Sequence, residues 1–405
     1  MMNEHHHRPS DPAYDNPFAD RFDKVGKPDN DRYSRTAYVL QGGGSLGAYQ
    51  TGVIRGLLEA GYEPDWISAT SIGAIIGSIV VGNAPEDRMN KLDEFWHRVS
   101  THGPFDMFGY SPSTFDLYNT ICSNSALIFG QQGFFLPRVP SPYFSIPQSE
   151  STPANLSVYD TYPLRQTLLD LVDFERLNSS LTRLSLGAVQ VNTGQLIYFN
   201  NINYLLGPEH VMASAALPPG FPAIKIDGEY YWDGGIHSNT PLEVIIDAKP
   251  SASTLCFVID CFGGTPFIPN DMDGVAERSK DISYSTHARR LIKFHIERQH
   301  LKIRLHELSK ELNAEQREKL ISLIDSDEPH QHTLVHINYS ARIHRASSKD
   351  YNFGHVTISK RIDAGYRDSK AMIAESGKWE KPADDLQCRV YEAPNNMTRL
   401  MRVGE

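Results

Sequence analysis

Cysteine is scarce in this chain. Cys122, Cys256, Cys261 and Cys388 are scattered over 405 positions with no CxxC pair. That pattern argues against a disulfide framework or a thiolate metal site, and for a reduced, cytoplasmic setting. Positive charge is in deficit too: 39 Lys and Arg stand against 49 Asp and Glu, a formal net charge of −10, the wrong balance for a chain built around nucleic acid. Long apolar runs are missing, none approaching the roughly 20 residues of a membrane-spanning helix. The N-terminal stretch has neither the apolar core of a secretion signal nor an acylation signal. With His5-His6-His7 and several Asp and Pro residues, positions 1–35 read as a flexible leader. No internal repeat stands out. What remains, 40% hydrophobic and 22% charged residues, is the composition of a globular protein, long enough for one large core with additions or for two domains.

The densest information lies between Tyr38 and Gly77. An apolar strand, Tyr38-Val39-Leu40, runs into the turn Gly42-Gly43-Gly44-Ser45-Leu46-Gly47, a helix follows over Ala48–Ala60, and a second short strand, Asp65–Ala69, leads into Thr70-Ser71-Ile72-Gly73 and a nearly charge-free helix to Val81. Short apolar strands stopped by glycine suit the centre of a parallel sheet. A helix as apolar as Ile72–Val81 has to be buried, with Gly73 and Gly77 leaving room for close packing. Pro85–Val99 carries apolar residues at helical spacing; from His102 to Tyr159 the periodicity fades. The aromatic, proline-broken stretch Phe134–Pro147 either covers a substrate pocket or packs as an ordinary loop on the core. Further on, a helix is expected at Leu164–Asp170, strands at Arg183–Asn192 and Gln195–Asn200, a short helix at Glu209–Ala216, and strands at Thr254–Cys261, Leu334–Arg345 and Val356–Ile358. Ile362–Ser376 reads as a helix and Lys378–Glu405 as a polar tail. Cys256 and Cys261 fall on opposite faces of their strand and read as small core residues.

Two turns and one carboxylate carry the chemistry. The first turn nominally satisfies G-x-G-x-x-G through Gly42, Gly44 and Gly47, but no acidic residue follows in the context of a dinucleotide fold, and the Lys of a phosphate-binding P-loop is absent. The second, Ala69-Thr70-Ser71-Ile72-Gly73, is one residue from the G-x-S-x-G elbow that projects a nucleophilic serine from a tight strand-to-helix turn; the plain alternative is a serine capping a helix. Backbone N–H groups of Gly43 and Gly44, with Ser45, could then face the oxyanion of an acyl transfer. Trp232-Asp233-Gly234-Gly235 brings a carboxylate to the end of an aromatic strand, though Asp-Gly-Gly is also a common turn. His237 and His355 are the histidines that would complete a Ser, Asp, His set.

These motifs resemble those of the patatin-like phospholipases, over about Thr36–Ala248. The glycine turn matches that family's oxyanion motif with Gly42, Gly43, Gly44, Ser45 and Gly47, Ser71 and Gly73 match its serine elbow, and Asp233, Gly234 and Gly235 match its aspartate motif. Ala215–Pro222 is similar to the segment that precedes the aspartate. The resemblance implies a three-layer α/β/α fold with a mostly parallel sheet. It also implies a lipid acyl hydrolase acting on phospholipid or another fatty acyl ester through a Ser71–Asp233 dyad and an acyl-enzyme, with no cofactor and no metal. Two positions depart: Leu46 stands where many members carry Arg or Lys, and Ala69 where the elbow's first glycine is usual. A Ser-Asp-His esterase and a non-catalytic membrane- or protein-binding module stay open.

The catalytic domain is expected over residues 36–270, with 271–405 a mainly helical extension packed on it and with room for added edge strands. Within it, Ile282 to about Ile324 reads as helix with a break near Asn313-Ala314. Its first part is rich in Arg289, Arg290, Lys293, Arg298, Lys302, Arg304 and Lys310, either a peripheral membrane contact or a solvated face with ion pairs. No nucleic-acid partner is expected, and oligomeric state is not legible.

Overall fold

The computed structural model describes residues 33–102, 111–140, 152–249, 251–263, 267–324, 330–339, 346–381 and 388–393. The leader over 1–32, with its three histidines, lies outside the described residues, as do 141–151 and 394–405. In chain order the elements are β1 (Arg35–Leu40), α1 (Gly47–Glu59), β2 (Trp66–Ala69), α2 (Ile72–Val81), α3 (Arg88–Arg98), α4 (Pro112–Phe129), β3 (Leu136–Pro137), β4 (Tyr159–Asp160), α5 (Tyr162–Leu171), α6 (Phe174–Ser179), β5 (Arg183–Gln190) and β6 (Leu196–Asn200). There follow α7 (Pro208–Ser214), β7 (Ile224–Ile226), β8 (Glu229–Asp233), α8 (Glu243–Ile246), β9 (Thr254–Asp260), α9 (Met272–Ser309), α10 (Ala314–Ile324), β10 (His332–Asn338), α11 (His355–Ile373) and β11 (Arg389–Ala393).

Strand order in the main sheet is β11-β10-β9-β1-β2-β5-β8-β7, with β6 also paired to β5. The run from β11 to β5 is parallel, whereas β6, β7 and β8 pair antiparallel. Alternation along β1 sorts the two faces as period-two geometry requires. Tyr38 and Leu40 pack with Ile67, Phe257 and Ile259 under α1, α2 and α11, while Ala37, Val39, Cys256 and Val258 face α8 and α9 through Leu242, Ile245, Ile292 and Ile296. The result is three layers, α/β/α. Each fully buried Leu, Ile or Val of these layers stabilises by about 2 kcal/mol.

Register places the ends of β1 and β2 side by side, Leu40 opposite Ala69, so the glycine turn and the serine turn leave the same end of the sheet from neighbouring central strands. Helix α2 is buried along its whole length, and a Cβ at Gly73 would collide with the Leu40 carbonyl. Cys256 and Cys261 sit in the two opposite core layers, and all four cysteines are free and buried.

Four readings need correction. Val356–Ile358 is not a strand but the first turn of α11, which starts after Gly354. A short β-branched run is strand-like by propensity, yet packing of Thr357 and Ile358 into the core decides for helix. The expected polar tail contains β11, which pairs with β10 from Thr333↔Arg389 to Ile337↔Ala393. Region 102–159 holds an 18-residue helix, α4, whose apolar residues point both inward and outward, so its period is masked. The long helix begins earlier than Ile282, at Met272, while its break before Ala314 falls where expected. Its basic face is mixed: Arg298 pairs with Asp247 and Lys293 with Glu297, and Arg289, Arg290 and Arg304 are exposed. Among the described residues no helix is long and apolar enough to cross a membrane.

Candidate active site

Ser71 occupies the residue between β2 and α2 with φ 57° and ψ −126°. An L-residue seldom adopts that conformation, and it is retained only where surrounding contacts over-determine it. Here the Ser71 N–H donates to the Ser214 carbonyl at 3.0 Å, and the preceding Thr70 N–H to the Leu40 carbonyl at 3.2 Å. Ala69 lies within β2, extended and fully buried, so the methyl that replaces the usual glycine costs the turn nothing.

Asp233 ends β8, buried to 1% exposure. Its carboxylate accepts the Gly235 N–H at 2.7 Å, and the Ser71 hydroxyl is near enough to act on its charge. Burial pushes its pKa up to about 7, the Gly235 N–H and the Ser71 hydroxyl only partly opposing the loss of solvation. A carboxylate raised in this way is a far stronger base than one in water and is still half-ionised at neutral pH. Gly234 packs where a side chain would overlap the Gly187 carbonyl on β5.

The glycine turn closes the third side. Gly42 lies so near Ser71 that a Cβ there would meet the serine Cβ at 2.9 Å. Gly44 takes φ +55° at the start of a single 3-10 turn, Gly44–Leu46, that leads into α1. Among the described residues the N–H groups of Gly43 and Gly44 have no acceptor. Ser45 is turned elsewhere: its hydroxyl donates to the Lys349 carbonyl at 3.1 Å and accepts from Arg361 at 2.7 Å. Its side chain is therefore spent on the C-terminal part of the chain, and only its backbone remains for the turn. Gly47 packs against Ile72 of α2.

Neither candidate histidine joins the pair. His237 is exposed, four residues past Asp233, and His355 packs at a tilt against His102, ring centroids 4.6 Å apart, beside a cavity of about 300 Å³ lined by Asp93, Trp96 and His97. The Asp233 carboxylate accepts from the Gly235 N–H, and among the described residues no histidine ring nitrogen is a partner.

Several residues the sequence did not single out hold the site together. Asn239 donates from Nδ2 to the Gly42 carbonyl at 3.0 Å and accepts the Gly42 N–H on its own carbonyl at 3.1 Å. Its side chain fills the space that a Cβ on Gly42 or Gly235 would need, so one asparagine ties the serine's turn to the aspartate's. Gln41 accepts the N–H groups of Cys261 and Phe262 on Oε1 and donates to Thr240. The glycines were the signal for this close approach; the partner was not named by any local pattern. Phe134 and Phe135 pack in an aromatic cluster with Tyr159, Phe221 and Phe353, while the rest of that stretch, 141–147, lies outside the described residues. Tyr351 joins that cluster and, with Tyr284 of α9, stands close enough to Asp233 for the carboxylate's charge to add to the burial that raises both phenols.

With this geometry, residues 38–246, more than half of the chain, match the family model described as patatin-like phospholipase. The chain belongs to the patatin-like phospholipase family. A second family model, described as patatin phospholipase, matches residues 282–385. Among relatives, a patatin-like phospholipase domain-containing protein of Neurospora crassa is 46% identical over 61 residues, 15% of this chain and 7% of that protein. Triacylglycerol lipase SDP1L of Arabidopsis thaliana is 32% identical over 77 residues, 19% of this chain and 9% of that one. The chain thus matches only a small fraction of the length of these relatives. Solved structures similar to it include VipD from Legionella pneumophila, with 16% identity, TM-score 0.30 and coverage of 82% of this chain and 67% of that one. Another is ExoU in complex with SpcU from the type III secretion system of Pseudomonas aeruginosa, with 16% identity, TM-score 0.28 and coverage of 66% and 53%.

Proposed function

We propose that this chain is a serine lipid acyl hydrolase, cleaving the acyl ester of a phospholipid or another fatty acyl ester through Ser71 and Asp233. The observation that carries the reading is a serine held at φ 57° beside two unsatisfied N–H groups, with a buried carboxylate, its pKa raised to about 7, near enough for the Ser71 hydroxyl to act on it. Asp233 takes the hydroxyl proton as Oγ attacks the ester carbonyl, and the carbonyl oxygen becomes an oxyanion facing Gly43 and Gly44. Collapse breaks the C–O bond, the departing alkoxide takes the proton back from Asp233, and an acyl-Ser71 ester remains. Water then attacks that ester with Asp233 taking its proton, and as the acyl–Oγ bond breaks Asp233 returns that proton to Ser71, releasing the fatty acid. Removal of one member of such a constellation costs orders of magnitude in rate.

The test is labelling with a fluorophosphonate probe and hydrolysis of a panel of phospholipid and p-nitrophenyl esters by the full chain. The expected result is stoichiometric labelling of Ser71 and at least a 1,000-fold loss of turnover in Ser71→Ala, with the thermal midpoint unchanged or raised as the strained residue is relieved. Labelling at another residue, or undiminished hydrolysis by Ser71→Ala, would assign the activity to a different nucleophile, and absence of both labelling and hydrolysis in the wild-type chain would leave a binding module that merely keeps the fold.

A further inference from the structure

Arg361 has no exposed surface. Among the described residues no carboxylate pairs with it, because the neighbouring acids are committed elsewhere. Asp350 is held by Lys280 at 2.7 Å, and Glu277 and Asp281 by Lys349 at 3.2 and 2.6 Å. Its guanidinium instead donates to Ser45 Oγ at 2.7 Å and to the carbonyls of Lys349 and Asn352 at 2.9 and 3.2 Å, while Nε is left without an acceptor. Tyr339 and the charge of Asp350 also act on it, without a carboxylate in ion-pair contact; a buried cation lacking such a partner is costly, and an apolar side chain of similar volume would fill the space without that penalty.

Where this charge sits is informative. Ser45 directly follows Gly44, so the guanidinium is one residue from the two free N–H groups of the glycine turn. The same turn is pressed from outside by residues 349–352: a Cβ on Gly44 would run into the Asp350 carbonyl, and the Lys349 carbonyl accepts from both Ser45 and Arg361. From inside, Gly42 abuts Ser71. The anion that Arg361 lacks at rest is one that a tetrahedral intermediate would supply.

We propose that Arg361 is a positioning residue for the oxyanion turn. Through Ser45 and the carbonyls of Lys349 and Asn352 it holds the Gly43 and Gly44 N–H groups toward the carbonyl under attack, and its fixed charge favours the negative charge that develops there. This rests on the serine hydrolase reading above.

The experiment compares wild type, Arg361→Gln, Arg361→Lys and Ser45→Ala in the full chain. It uses a p-nitrophenyl ester and a trifluoromethyl ketone of the same acyl length, whose adduct with Ser71 carries the oxyanion. Arg361→Gln is expected to lower kcat at least 30-fold with KM within threefold of wild type and to weaken ketone binding by the same factor. Arg361→Lys, which keeps the charge without the fork, recovers part of both losses, and Ser45→Ala lowers both three- to tenfold. A residue that only props up the core would cost thermal stability without this parallel loss of kcat and ketone affinity at constant KM. The proposal is overturned if Arg361→Gln keeps kcat within threefold, or loses kcat while the ketone binds as before. If Arg361→Gln does not fold, Ser45→Ala with wild-type kcat and ketone affinity overturns it. Failure of the underlying reading shows separately: a wild-type chain that does not react with a fluorophosphonate at Ser71 removes both, whereas normal labelling with an indifferent Arg361 removes this inference alone.

Discussion

At Asp233, two pH dependences follow from one burial. On the proposed reading the carboxylate must be ionised to accept the serine proton, so kcat/KM should rise with pH and level off above about 7. Two units below that it should stand about 100-fold under its plateau. A flat profile between pH 5 and 8 would exclude Asp233 as the base. Stability runs the other way. The folded-state pKa lies above the ordinary carboxylate value of 3.8, so between the two the folded chain holds a proton that the unfolded chain releases. The associated stability is complete below pH 3.8 and lost as pH rises to about 7, on the order of 4 kcal/mol in all. Asp233→Asn keeps an acceptor for Gly235 and escapes that loss, so it should melt higher than wild type at pH 8 and converge with it near pH 4, while hydrolysing nothing.

Between elements, two contacts decide how the C-terminal part is joined to the rest. His336 on β10 and Asp260 at the end of β9 form a buried ion pair at 2.7 Å. Burial alone would lower the histidine's pKa, but the adjacent carboxylate more than offsets this and raises it to about 9. For a raised histidine the stabilisation is full below the ordinary value of 6.5 and fades as pH passes 9. His336→Gln should therefore lower the thermal midpoint much more at pH 6 than at pH 10; an equal drop at both would show that shape and not charge is what the site needs. The second contact is the crossing of α1 and α11. A Cβ on Gly52 would overlap the Ile362 carbonyl, one on Gly56 would overlap Ser369, and one on Gly365 would overlap the Tyr49 carbonyl, so the two backbones touch. Forcing them apart with Gly52→Ala should cost at least 2 kcal/mol, visible as a reduced urea midpoint, despite alanine's better helix propensity. A neutral or stabilising effect would mean that the crossing has slack.

Taken whole, the molecule has one sheet assembled from both ends of its sequence. A chain ending at residue 270 would bare the β9 edge that β10 covers and the α1 face that α11 covers. It should accumulate as aggregate, whereas recovery of a monomeric, fluorophosphonate-reactive fragment by gel filtration would contradict this. What could be read in advance follows the same division. Gly42–Gly47, Ser71 and Asp233 are local patterns in which a turn, a helix start and a strand end each leave their mark on neighbouring residues, and α2 advertised its burial by having no charge. Asn239, Lys349 and Arg361 leave no such mark, since each matters through a partner as much as 316 positions away. Strand β11 is five residues with Arg and Glu among them, strand-like only because β10 lies beside it, and α4 hid behind apolar residues on its outer face, Leu117, Ile121 and Ile128.

The hold of Arg361 on Ser45 also has a meaning during synthesis. A ribosome that has released residues 36–270 has already delivered Ser71 and Asp233, the proposed nucleophile and base. The residues that brace the Gly44 turn arrive some hundred codons later, with Lys349, Asp350 and Arg361. On the proposed reading, an esterase able to attack membrane lipid is thereby kept idle while it is being made, and a prematurely terminated chain is disarmed by its own incompleteness.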